Sequence, residues 1–341
     1  MPRNRSDDPS ASPETGTETE TGTETGAGDA APGSTGPADR LDLDRLALSR
    51  SALDRVGDLR RDSAWWADTL ADPRTRFLPV ARGRFPVDDD GTGPRLRWST
   101  RPDPATGPAD HVLLGVDATG RAHVAVPAEE PGADWVNLRE VGGGLDDLDA
   151  GAATHASALL AWHAAERFSP ASGRATSPAH AGAVRVDDTG RELYPRTDPA
   201  MIVLVHDGPL RDPASRALLG HQRVWPDGRF SCLAGFVEAG ESLEQSVVRE
   251  VAEESGVSVD SIRYAGSQPW PFPRSLMVGF TARATSTDLQ PDGDEIAEVR
   301  WFTREQLRED VDAGRVLLPG RVSIARRLIE GWYGAELPGD W

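Results

Sequence analysis

The sequence predicts an α+β protein: a sandwich over the C-terminal half, preceded by a smaller mixed α+β unit. After Pro199, apolar strand-like runs outnumber helical patterns, with one loop–helix–loop inserted among them. Between Phe77 and Pro127 the chain breaks into short β-like runs, and an Ala-rich helical pattern follows. At 341 residues, 38% of them hydrophobic, the chain is long enough for two ordinary domains and a tail.

Residues 1–40 are mainly Thr, Glu, Gly, Ser, Pro, Asp and Ala, without aromatic or branched aliphatic residues. Such a segment cannot offset its ordering entropy, and a disordered acidic tail is expected. Residues 41–168 are assigned to the N-terminal domain. Leu41–Arg61 has leucines at roughly helical spacing, and Trp65-Trp66 follow. Arg95–Trp98, His111–Val116 and Ala122–Val126 read as strands, the last two joined by the turn Asp117–Gly120. Trp135–Arg139 reads as another strand, Gly142–Gly144 as a flexible turn, and Asp147–Phe168 as a helix on which His163 reads as a surface or packed residue rather than a ligand. Residues 169–197, rich in Ser, Pro, Gly and Ala, form a connector.

Residues 198–332 form the last unit. Met201–His206, Ala217–Val224, Ser261–Gly266, Leu276–Ala284 and Glu298–Phe302 read as strands, and Ser231–Phe236 leads into the stretch that begins at Gly235. Thr303–Asp312, with Thr303 as cap, and Arg321–Trp332 read as helices. Between Gly240 and Gly256 lies another helix, with Leu243, Val247, Val248 and Val251 as its apolar face. Its other face carries Glu250, Glu253 and Glu254. Like charges at this spacing cost about 0.2–0.5 kcal/mol each unless neutralised. A solvated acidic face or a hard divalent cation, Mg²⁺ or Mn²⁺, would relieve them.

The net charge of −18 argues against an extended basic groove for nucleic acid, though not against a small polyphosphate or the end of an RNA. The single cysteine, Cys232, excludes an intrachain disulfide or a multi-cysteine zinc site and reads as a buried thiol. No apolar run is long enough to span a membrane, and a cytoplasmic protein is expected.

The acidic helix belongs to a longer pattern. Gly235, Glu241, Arg249, Glu250, Val251, Glu253, Glu254, Gly256 and Val257 fit G-x5-E-x7-R-E-U-x-E-E-x-G-U at every defined position, U being bulky and apolar. This resembles the Nudix box, and so implies a Nudix α/β/α sandwich that hydrolyses a nucleoside-diphosphate-linked compound. The residue types suit that chemistry. Glu250, Glu253 and Glu254 offer oxygen ligands for Mg²⁺ or Mn²⁺, and Arg249 can hold Glu241 by a forked bond.

A second motif follows the box: Ser267-Gln268-Pro269-Trp270-Pro271-Phe272-Pro273, then Ser275-Leu276-Met277. Its three prolines predict a stiff loop, and Trp270 and Phe272 offer flat faces for packing or base stacking. Together with Tyr194–Pro199, Leu233–Glu238, Glu298–Phe302 and Ile324–Glu330, it is similar to the NADH pyrophosphatase branch of the Nudix hydrolases. The likeness is close over residues 135–332 and loose over 41–134.

The resemblance implies hydrolysis of NADH or NAD⁺ to NMN(H) and AMP, or removal of NAD caps from RNA, by a homodimer. A non-catalytic nucleotide sensor is the alternative from another class, and the intact glutamate set argues against it. Glu250, Glu253, Glu254 and Glu298 would be metal ligands, with one glutamate acting as base through water. Tyr194 and Phe236 would sandwich an aromatic ring of the substrate across the dimer, and Ala234, Gln268, Ser275, Met277 and Ala325 would contact substrate. The resemblance also implies a four-cysteine zinc ribbon between the domains. Here Ser169, Ser172, Val186 and Thr189 stand in those places. They cannot replace thiolates, so no zinc is expected.

Overall fold

The computed structural model describes residues 41, 43–102, 106–291, 293–339 and 341. The acidic tail expected at 1–40 lies outside them. The N-terminal unit begins with α1 (Ser63–Ala71), capped by the Asp62 carboxylate on the Ala64 and Trp65 amides. A three-stranded sheet has the order β1 (Arg76–Val80), β5 (Ala122–Pro127), β4 (Val112–Val116). β1 runs parallel to β5, and β4 and β5 form the antiparallel hairpin expected from Asp117–Gly120. A second sheet has the order β3 (Pro94–Leu96), β2 (Arg84–Asp89), β6 (Trp135–Asn137). The strand expected at Trp135–Arg139 stops early, because Asn137 caps the short helix α2 (Leu138–Val141). α3 (Asp147–Ala165) packs its alanines on β4 and β5. His163 is packed, with Nε2 on the Gly182 carbonyl at 2.8 Å.

The connector forms a small antiparallel sheet of β7 (Thr176–Ala179), β8 (Val184–Asp187) and β9 (Glu192–Leu193). Arg174 and Asp188 pair across its two turns, and the Ser169 amide closes a turn on the Arg174 carbonyl at 2.8 Å.

The C-terminal unit is a six-stranded mixed sheet between two helical layers. Its order is β13 (Val259–Trp270), β14 (Ser275–Ala284), β10 (Asp198–His206), β11 (Ala217–Gln222), β15 (Ile296–Phe302), with β12 (Leu233–Phe236) also on β10. Alternation along β10 builds the layers. Met201, Val203 and Val205 face Val247 and Val251 of α4 (Leu243–Ser255). Ile202 and Leu204 face α5 (Arg304–Asp312) and α6 (Ile324–Tyr333), through Leu307, Val311, Leu328 and Ile329. Thr303 caps α5 as expected, in a capping box with Gln306. Among the described residues no helix is long and apolar enough to cross a membrane.

Two stretches differ from expectation. The leucines of 41–61 do not make a long helix; only Leu59–Arg61 form a 3-10 turn. Leu41 and Leu46 are buried in the C-terminal core and Leu48 in the N-terminal one, so the segment straps the two together. The Leu43 amide bonds the Ala265 carbonyl at 2.9 Å, and the Ser49 hydroxyl bonds the Ser267 carbonyl at 2.7 Å. The Ser267–Pro273 stretch is not an independent loop. Gln268–Trp270 end β13 in register with Met277–Ser275 of β14, Pro269 lies within the strand, and Pro271 and Pro273 fill the turn.

Asp149 joins α3 to the second sheet. Its buried carboxylate accepts the Leu96 amide at 2.8 Å and the Trp98 indole N–H at 2.9 Å. Burial nevertheless raises its pKa. Asp149→Ala strands one buried and one half-buried donor, and should lower the unfolding free energy by about 1–3 kcal/mol, read as a lower urea midpoint.

Candidate active site

The site forms where the sheet forks. Along one edge of β10, Ala200–Val203 pair with β12, and Val205–His206 pair with β11. A cleft of about 550 Å³ opens between these branches. Ala234, Phe236, Ser275 and Met277 line it, with Trp270 and Phe272 on one side and Arg249, Glu250 and Glu295 among its charged groups.

α4 delivers the carboxylates. Ser242 and Gln245 close a capping box at its start, and Gly256, at φ 75°, ends it in the left-handed conformation. Val247 and Val251 are fully buried against the sheet, but Val248, expected on the same face, is 44% exposed. The inward stripe is narrower than the sequence pattern suggested, because Glu254 takes a place beside it and is only 3% exposed. Glu250 reaches the cleft, while the Glu253 side chain stands at the surface.

Gly235 explains the first glycine of the pattern. A Cβ there would overlap the Glu250 carboxylate, so only glycine lets β12 pass beneath it. Arg249 organises the loop. Its Nε and Nη2 each donate to Glu241 at 2.8 Å, the expected fork, and Nη2 also donates to the Phe236 carbonyl at 3.0 Å. Nη1 lies 2.8 Å from Glu250 and 3.1 Å from Glu253. The Arg249 bonds hold the Glu241 carboxyl down to about 2. The Glu250 carboxyl is pushed the other way, first by burial and then by the charges of Glu253 and Glu295, against the pull of Arg249.

Glu295, which sequence reasoning did not single out, lines the cleft. Glu298 lies elsewhere. Val299 and Trp301 pack on the α4 side of β15, whereas Arg300 lies over Phe230 and Phe302 on the other. Alternation therefore sends Glu298 away from α4, where it is largely exposed and 3.5 Å from Arg300. Glu295 precedes the irregularity at His221/Gln222, accepts from Gln222 at 3.3 Å, and lines the cleft. The acidic pair straddling an apolar Ile-Ala was the available signal.

The other expected substrate residues divide. Gln268 is wholly buried, with its amide on the Val322 carbonyl at 3.0 Å, and Ala325 is packed in the α6 core. Both side chains are buried in this arrangement. Phe236, 60% exposed, presents a ring at the cleft; Tyr194, 63% exposed, lies away from it and bonds Glu192. Trp270 and Phe272 meet edge to face at 5.0 Å, and the Arg139 guanidinium lies 4.4 Å from the Phe272 centroid.

Among the described residues no three acidic, histidine or cysteine side chains converge as a ready-made ion site. Charge and donor type nevertheless fit a hard divalent cation. The carboxylate of Glu250 is partly desolvated and repelled by Glu253 and Glu295, which a cation would relieve.

An α/β/α sandwich carrying this glutamate helix defines a Nudix hydrolase. Sequence comparison agrees: residues 197–319 match the NUDIX domain, and residues 74–162 match the NADH pyrophosphatase-like rudimentary NUDIX domain. The chain is 44% identical over 307 residues to the NAD-capped RNA hydrolase NudC of Mycobacterium bovis, covering 83% of this chain and 93% of that protein. The figures for NudC of Mycobacterium tuberculosis are the same. Human NAD-capped RNA hydrolase NUDT12 is 40% identical over 200 residues, which is 55% of this chain and 42% of that protein. The chain belongs to the NADH pyrophosphatase family of Nudix hydrolases.

Gly235→Ala is expected to displace Glu250 and cost on the order of a hundredfold in turnover of a dinucleotide diphosphate. Circular dichroism should be unchanged. Wild-type turnover in this variant would mean that the seat of Glu250 does not matter.

Proposed function

We propose that this protein hydrolyses the diphosphate of an NAD moiety, with NAD-capped RNA as the principal substrate and free NADH or NAD⁺ as a smaller one. The observation that carries this reading is the Glu250 carboxylate seated over Gly235 in a cleft walled by aromatic rings. The relatives named NAD-capped RNA hydrolases support the choice of substrate. Water adds to one phosphorus and the bridging oxygen leaves with the other phosphate. The products are NMN, or NMNH from NADH, and a 5′-monophosphate, which is AMP from the free dinucleotide and an RNA end from the cap.

Mg²⁺ or Mn²⁺ would be held by Glu250, Glu253, Glu254 and Glu295, with Glu295 in the place first given to Glu298. Bound there, the ion supplies charge neutralisation at the diphosphate and acidifies water. The protein's own groups position and shield. Arg249 stays charged through Glu241 and steadies the loop through the Phe236 carbonyl. Phe236 offers a stacking face for a base or a nicotinamide ring, and Ser275 and Met277 form the wall beside it. A homodimer, in which a second copy brings Tyr194 toward that ring, belongs to the same proposal.

Glu250→Gln and Glu254→Gln should each abolish AMP release from NADH, as should removal of divalent ions with EDTA. Intact NADH after incubation of folded wild-type protein with Mg²⁺ or Mn²⁺ would refute the reading. Glu295→Gln should lose at least the ~10-fold that an outer-shell partner ordinarily costs, while Glu298→Gln should stay near wild type. The reverse order, measured as kcat/KM against metal concentration, would restore Glu298 as the ligand.

A further inference from the structure

A second cavity, larger than the cleft, lies beside it. It has a volume of about 930 Å³ and is lined by Arg45, Arg50, Arg139, Arg321 and Arg327 together with Trp341. Among the described residues, Asp44 and Glu140 are the carboxylates in its lining, and Asp147 pairs with Arg45 and Arg50 from outside it. The chain as a whole carries −18, so this concentration of guanidinium groups runs against the charge of the rest of the molecule.

These arginines are not equally committed. Arg50 is structural, donating to the carbonyls of Ala47, Leu145 and Gly142, and it shares the Asp147 carboxylate, at 3.3 Å, with Arg45, which holds it at 2.9 Å. Arg321 meets Glu336 at 3.4 Å and Arg327 meets Glu330 at 3.7 Å, and both arginine side chains are substantially exposed. Such bridges are weak and yield readily to a stronger anion. Arg139 has only the rings of Trp270 and Phe272, with its guanidinium 5.3 and 4.4 Å from their centroids. Burial lowers its pKa, and no carboxylate among the described residues offsets that cost.

The same two rings line the catalytic cleft. Arg139 and the aromatic pair are therefore a common wall between cleft and cavity. An anion that begins at the diphosphate and continues past this wall meets guanidinium groups next. Trp341, held under Arg229 at 4.8 Å, adds a partly exposed indole on which a base can stack. A polynucleotide running on from the cleft would meet this surface.

We propose that the arginine cavity receives the phosphodiester backbone of the first nucleotides of an RNA whose NAD cap occupies the cleft. This rests on the capped-RNA reading above. Guanidinium groups suit phosphodiesters through paired charge-assisted bonds, and the aromatic face suits unpaired bases. The cavity then selects the capped chain over the free dinucleotide without touching the scissile bond.

The test compares wild type with the double variant Arg321→Glu/Arg327→Glu on a short NAD-capped RNA and on NADH. The variant should lose roughly an order of magnitude in kcat/KM on the capped RNA, through KM, and keep wild-type activity on NADH. Its dependence of log kcat/KM on log salt should flatten by about 1.4, the contribution of two single-strand phosphate contacts. Arg321→Lys/Arg327→Lys should retain most of the wild-type behaviour on both substrates. Equal activity of the charge-reversed variant and wild type on capped RNA, with unchanged salt dependence, overturns the cavity alone. Wild type that hydrolyses NADH but not capped RNA overturns the cavity and the choice of substrate. Wild type inert on both overturns the diphosphatase reading with them.

Discussion

The Arg249 guanidinium spans helix and loop, bonding Glu241 twice and the Phe236 carbonyl once, and approaching Glu250 and Glu253. Because Arg249 sits on the rigid α4 and Glu241 in the loop before it, this pair sets where the loop lies. The loop sets the course of β12, and β12 presents Gly235 beneath Glu250. Glu241, Glu250 and Glu253 can crowd together at this end of the molecule because they share one permanently charged partner.

The helix and its loop were legible in the sequence because their constraints are local. A capping box, a left-handed glycine and a glutamate spacing of three and four residues all act within one or two turns. The fork from Arg249 to Glu241 follows from the same short range. Glu295 was not legible, because its direction depends on an irregularity in the pairing of β11 with β15, which no local pattern announces. The burial of Gln268 and Ala325 was not legible for a related reason. Both lie in the likeness to the family, yet what surrounds them comes from Val322 and from the core beneath α6, far away in the chain.

The leucines between 41 and 48 teach the same lesson about packing. Their spacing suits a helix, but Leu41 and Leu46 enter one core and Leu48 another, so the backbone is drawn out between them. Gly331 on α6 makes room, since a Cβ there would collide with Leu41. Tertiary burial overrides helical propensity when each apolar side chain has a separate destination.

The small sheet between the domains has a chemical consequence of its own. Its turns are braced by Arg174 with Asp188 and by backbone bonds around Ser169, where the family resemblance places thiolates. Serine, valine and threonine offer peroxide nothing to oxidise, and the lone thiol, Cys232, is buried with its pKa pushed up. The joint that carries one half of the protein to the other is thus indifferent to cellular redox swings.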